Sequence, residues 1–102
     1  MWGNAMGDTM TAAAEQLGQE AADIAIRGAL RYLQRHGRLD LATANKLEEP
    51  LRRCVKAAIP VALADAKAAL DCGMVAVARA TFAATMLQAG IAAGKEVYFV
   101  AD

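Results

Sequence analysis

Apolar residues recur at steps of three and four from position 17 onward. Leu17, Ala21, Ala22, Ile24, Ala25, Ile26, Ala29, Leu30 and Leu33 form one stripe, and Gln16, Glu20, Asp23, Arg27, Arg31, Gln34 and Arg38 lie opposite it. This is the 3.6-residue period of an amphipathic helix. The pattern predicts a first helix from Thr9 or Thr11 to His36. A threonine suits its N-cap, Glu15, Glu20 and Asp23 lie toward its positive end, and Arg27, Arg31 and Arg35 lie toward its negative end. Gly37 fits the left-handed position just past it.

The turn His36-Gly37-Arg38-Leu39-Asp40 is short enough to return the chain antiparallel, and Asp40 suits the N-cap of the next helix. Pro50 and Pro60 each lack an N–H and collide with the carbonyl four residues earlier. Pro50, with Glu48 and Glu49 beside it, suits the start of a helix. The expectation is a short helix near 41–47, a longer one from 49 to about Leu70, and a kink at Pro60. Asp71-Cys72-Gly73 marks the next boundary, with a straight passage through Gly73 as the alternative.

Residues 74–93 are apolar nearly all round, with Met74, Val77, Ala84, Leu87 and Ile91 on one face and Val75, Ala78, Phe82, Met86 and Ala89 on another. Such a helix is buried, in a bundle or in lipid. After Gly94, the run Lys95-Glu96-Val97-Tyr98-Phe99-Val100 has the β-branched and aromatic character of a short strand. The predicted fold is all-α: a three-helix antiparallel bundle with a proline-kinked second helix and a short extended C-terminal tail. It divides into a flexible N-terminus (1–8), a helical domain (9–95) and the extended tail (96–102).

Composition sharpens this picture. About a quarter of the 102 residues are alanine, so the 57% hydrophobic content overstates the core: each alanine buries little area. Alanine is also the best helix former. Cys54 and Cys72 stand alone, with no C-x-x-C and one histidine in the chain, so neither a disulfide framework nor a zinc site is indicated. No base precedes Arg27 and no run of large apolar residues opens the chain, which argues against a secretory or transit signal and for a cytoplasmic protein. Met1, Met6 and Met10 each suit a translation start.

Net charge is zero, yet the charges are segregated. Residues 1–24 carry four acids and no base, whereas residues 25–56 carry eight bases against three acids. The basic stretch admits two explanations. In an antiparallel hairpin about the turn near Arg38, Glu20 meets Lys56, Asp23 meets Arg53 and Arg27 meets Glu49. Three successive opposite-charge levels set a register, although each exposed pair contributes only about 0–1 kcal/mol. Arg31, Arg35, Arg38 and Arg52 are then left without partners and are the candidates for contact with an anionic partner. The alternative is nucleic-acid binding through the whole basic face around residues 27–56, and no groove-reading or base-stacking signature accompanies it.

Chemistry is not signalled. His36 beside Gly37 complements a helix end, and no nucleophile or carboxylate is placed near it by the sequence. Glu48-Glu49 and the pair Asp65 and Asp71 read as solvated faces. Gly90-x-x-x-Gly94 permits close helix contact of the kind found in membranes, but Arg79 and Gln88 lie in the same stretch, which favours packing in water over membrane insertion. The expected function is a non-enzymatic protein–protein interaction module, of the adaptor, inhibitor or immunity type, with no cofactor and no metal. Its partner is another protein or itself. A homodimer is expected, with self-association through Leu87, Ile91, Val97, Tyr98, Phe99 and Val100. A nucleic-acid-binding helical protein is the less favoured alternative.

Overall fold

The computed structural model describes the backbone of residues 2–100 and the side chains of residues 16–99. The fold is all-helical, a bundle of four helices: α1 (Trp2–Arg35), α2 (Leu41–Asn45), α3 (Glu48–Asp71) and α4 (Val75–Val100). Residues 2–8, expected as a flexible N-terminus, carry helical backbone. α1 thus begins upstream of Thr9 and Thr11, so neither is its N-cap, in correction of the expected start; the side chains of 1–15 lie outside the described residues.

Both glycine boundaries are left-handed helix ends. Gly37 has φ +70° and Gly73 φ +74°, values that side chains with a Cβ rarely adopt. At the first, the Arg38 N–H donates to the Leu33 carbonyl (2.9 Å) and the Gly37 N–H to the Gln34 carbonyl (3.1 Å). At the second, Met74 donates to Ala69 and Gly73 to Leu70, both at 2.9 Å. These paired bonds are the Schellman motif, which satisfies carbonyls a helix end leaves orphaned. The passage through Gly73 is therefore a turn and not a continuous helix.

Asp40 caps α2. Its Oδ1 accepts the Thr43 N–H at 2.8 Å, and the buried Thr43 hydroxyl donates to its Oδ2 at 3.1 Å. These donors, the backbone N–H foremost, hold the Asp40 carboxyl below its ordinary value. Tight bonds from Lys46 to Thr43 and from Leu47 to Ala44 lead directly into α3. Pro50 falls in the first turn of α3, where its missing N–H has no intrahelical acceptor to disappoint, and Glu48 and Glu49 complement the positive end. Pro60 lies inside α3, which continues past it to Asp71.

α4 packs extensively against both α1 and α3, which touch each other much less. Along the α1–α4 seam the two backbones meet. A Cβ on Gly90 would lie 1.7 Å from the Ala25 carbonyl oxygen, and one on Gly94 would lie 3.1 Å from that of Ala29. Both helices advance four residues between these contacts, so they run parallel. Ala21, Ala25, Ala29, Ala89 and Ala93 are buried along or beside this line. Small side chains here bring many atoms into dispersion contact, which offsets the modest area each buries. Leu33 and Met86 are the largest fully buried side chains, and Leu47, Val55 and Val97 complete two adjoining core clusters.

The C-terminal residues correct one expectation. Residues 96–100, read as the start of an extended tail, continue α4 as helix, and no strand exists among the described residues. Gly94 serves close packing against Ala29 and not chain termination. Val97 is 4% exposed and joins Leu33, Leu47 and Ala93 in the core. Tertiary burial here outweighs the β-propensity of the run, which is a weak preference. Residues 101–102 of the expected tail lie outside the described residues.

Candidate functional site

The four arginines singled out by sequence divide in the structure. Arg38 is engaged within the chain: its Nη1 donates to the Tyr98 carbonyl at 3.1 Å, and its guanidinium carbon lies 5.4 Å from the centre of the Tyr98 ring. It thereby ties the turn after α1 to the last turn of α4, where carbonyls lack intrahelical donors. Arg52 pairs with Glu48, one turn back on α3, at 2.9 Å, with both side chains largely exposed. Arg31 and Arg35 are exposed on α1. With Tyr32, His36, Leu87 and Ile91 they line a pocket of about 330 Å³.

That end of the molecule also holds a cluster of four rings. Tyr32 and His36 are 4.3 Å apart between ring centres, His36 and Tyr98 5.3 Å, and Tyr98 and Phe99 5.1 Å. Sequence reasoning did not bring Tyr32 and His36 together with Tyr98; the four-residue step from Tyr32 to His36 was the available signal. The self-association set is split by the same geometry. Val97 is buried in the chain's own core, Leu87 and Ile91 are half-buried against α1, Tyr98 belongs to the ring cluster, and Phe99 is 75% exposed. The Val100 side chain lies outside the described residues.

A larger feature lies between α1 and α3. Because α4 fills the other side and α1 and α3 barely meet, an apolar groove of about 750 Å³ stays open between them. Ala22, Ile26 and Leu30 form the α1 wall, and Leu47, Leu51, Val55 and Ile59 form the α3 wall. Arg52 and Lys56 stand on the α3 lip. A second opening of about 690 Å³, near the α3–α4 turn, is lined by Leu17, Ile24, Leu63, Leu70 and Phe82.

The charge register expected of an α1–α3 hairpin does not form. Arg53 pairs with Glu96 of α4, not with Asp23, and this hydrogen-bonded carboxylate strengthens the hold of Arg53 on its proton. The reason is topological: α4 is the principal neighbour of both helices, so α3 finds its cross-helix partner there. Glu20, Asp23, Arg27 and Arg31, all exposed on α1, make no ion pair among the described residues.

Among the described residues no group of three or more His, Cys, Asp or Glu side chains is placed to hold a metal ion. Cys54 and Cys72 are free thiols, the first half-buried and the second exposed. α4 from Val75 to Phe99 has the length and apolar composition of a membrane span, and in this fold part of it is buried against α1 and α3. No known protein family, no curated protein and no solved structure matches the chain.

Proposed function

We propose that the chain is a non-enzymatic protein-interaction module that receives an apolar helix face in the groove between α1 and α3. The observation that carries this is the groove itself: a trough of about 750 Å³ walled by Ile26, Leu30, Leu51 and Ile59, open to solvent and rimmed by charge. Apolar grooves between helices are where amphipathic partner helices dock. The scaffold is best understood as a three-helix antiparallel bundle of α1, α3 and α4, with α2 as a connecting turn and α3 bent at Pro60, whose ring opposes the carbonyl of Lys56. In this proposal α4 is the central packing helix in water. Its glycine seam with α1 supports that role, because it brings the two backbones together from Leu87 to Gly94.

The nucleic-acid alternative loses support from the fate of the arginines. Arg38 and Arg52 are satisfied within the chain, and Arg53 is held by Glu96. A contiguous, uncompensated basic surface is the footprint that phosphate binding needs. The interaction proposal is tested by placing a photo-cross-linking residue at Ile26 or Ile59, and at the exposed Ala76 as control, in cells of the source organism. Discrete protein adducts at the groove positions and none at Ala76 support it. Equal labelling at all three, or none at the groove, overturns it.

A further inference from the structure

Resting on that interaction reading, we infer that one partner is a second copy of this chain, docked antiparallel along the exposed face of α1. The face is a stripe of residues at steps of three and four: Gln16, Glu20, Asp23, Arg27, Arg31 and Gln34. Its N-terminal half is acidic and its C-terminal half basic. Turned end for end about a two-fold axis level with Ala25, the stripe complements itself. Asp23 then stands level with Arg27 of the second copy, and Glu20 within one residue, about 1.5 Å of helix rise, of Arg31 of the second copy. By symmetry each pair occurs twice, and the two glutamines face each other at the ends. A parallel arrangement sets Glu20 on Glu20 and Arg31 on Arg31, which repels.

Two further observations favour this occupant. The four charges have no ion pair among the described residues, so none of that kind has to be broken for docking. Immediately beside the stripe, Ile26 is 40% exposed and, with Ala22 and Leu30, forms the α1 wall of the apolar groove. It lies about 100° round the helix from Arg27, level with the two-fold axis and at the edge of the contact, where long side chains of the second copy cover part of it. Covering these side chains removes apolar surface from water and lowers the dielectric around the flanking ion pairs. A contact made by one helix from each copy falls below about 1,200 Å² of buried surface, which places the association in the weak, concentration-dependent class. Most of its selectivity is electrostatic, so it weakens with salt.

The test uses purified full-length chain in sedimentation equilibrium at low salt across a concentration series. Two double variants are made, Glu20→Arg with Asp23→Arg, and Arg27→Glu with Arg31→Glu. Wild type is expected to move from 10.7 kDa toward twice that mass and to dissociate as salt is raised. Each double variant alone carries one sign along the stripe and is expected to lose affinity by about 100-fold, while an equimolar mixture of the two regains it. Unchanged helicity and melting temperature in each variant confirm that folding is not the cause. A wild type that stays at 10.7 kDa throughout overturns the inference and leaves the groove proposal to its cross-linking test. A wild-type dimer that ignores salt, or that both double variants retain, places the contact elsewhere and overturns it equally.

Discussion

Replacing Gly90 by alanine adds one carbon to the α1–α4 seam, at a point where that carbon meets backbone. The new Cβ would lie 1.7 Å from the Ala25 carbonyl oxygen, 2.5 Å from its carbonyl carbon and 2.8 Å from its Cα. Ordinary contact between such atoms is about 3.5 Å, so the helices must part locally by well over an ångström. A side chain can swing aside, but a helix backbone cannot. Parting the seam also loosens the contacts of Ala25, Ala29, Ala89 and Ala93 along it. Overpacking at adaptable sites costs about 1–3 kcal/mol, and this rigid site belongs at or above the top of that range. The better helix propensity of alanine returns up to about 1 kcal/mol. A net loss of about 3 kcal/mol is a large part of the roughly 5–15 kcal/mol expected of a whole domain. At about 4–8 °C per kcal/mol for a chain of this size, the melting temperature by circular dichroism drops by about 12–24 °C. The other glycines supply a graded series. A Cβ on Gly28 would lie 2.7 Å from the Leu87 carbonyl oxygen, one on Gly94 3.1 Å from that of Ala29, and one on Gly18 has nothing within 4 Å. The expected order of damage is Gly90, Gly28, Gly94, and Gly18→Ala stabilises by about 0.5–1 kcal/mol. A Gly90→Ala melting temperature within a few degrees of wild type, or a Gly18→Ala loss equal to it, refutes the backbone-contact seam.

Three further outcomes are expected. Asp40→Ala removes the α2 cap and lowers the melting temperature by about 4–8 °C at neutral pH. Because the Asp40 carboxyl lies below its ordinary value of 3.8 when folded, its contribution is complete above that pH and fades as pH falls through the folded value, so wild-type and variant melting curves converge in acid. Gly73→Ala meets open space but keeps a left-handed backbone, and chemical denaturation should record a loss of about 1–2 kcal/mol, with helicity unchanged. Leu33→Ala, at one of the two largest fully buried side chains, should cost about 2–5 kcal/mol in the same assay, whereas Leu41→Ala, largely exposed, should cost little.

Local chemistry makes the helix boundaries legible in the sequence. Gly37 and Gly73 mark left-handed ends, Asp40 a cap, and Pro50 a first turn, because each acts on the backbone within a few residues of itself. The error at Val97–Val100 has the opposite origin. Those side chains favour strand, and only contact with Leu33 and Leu47, far away in sequence, keeps Val97 in a helix. The misplaced pairing of Asp23 with Arg53 arose similarly, from treating α1 and α3 as a closed pair when α4 supplies the partner, Glu96. Gly90 and Gly94 were legible as a close-packing motif, but their counterparts Ala25 and Ala29 were not, since an alanine-rich helix offers many equivalent small faces. Arg31 and Arg35 were found as exposed charges. That they share a pocket with Leu87 and Ile91, while Arg38 and Arg52 do not, depends on the parallel register of α1 with α4.

The most direct measurement is a dilution series of ¹⁵N–¹H correlation spectra of the wild-type chain at low salt. Concentration-dependent shifts confined to α1 between Gln16 and Gln34 are the result expected if the exposed face of α1 is the surface through which this protein meets its own copy. Shifts centred on Phe99 and the end of α4, or spectra that do not change with concentration, contradict it.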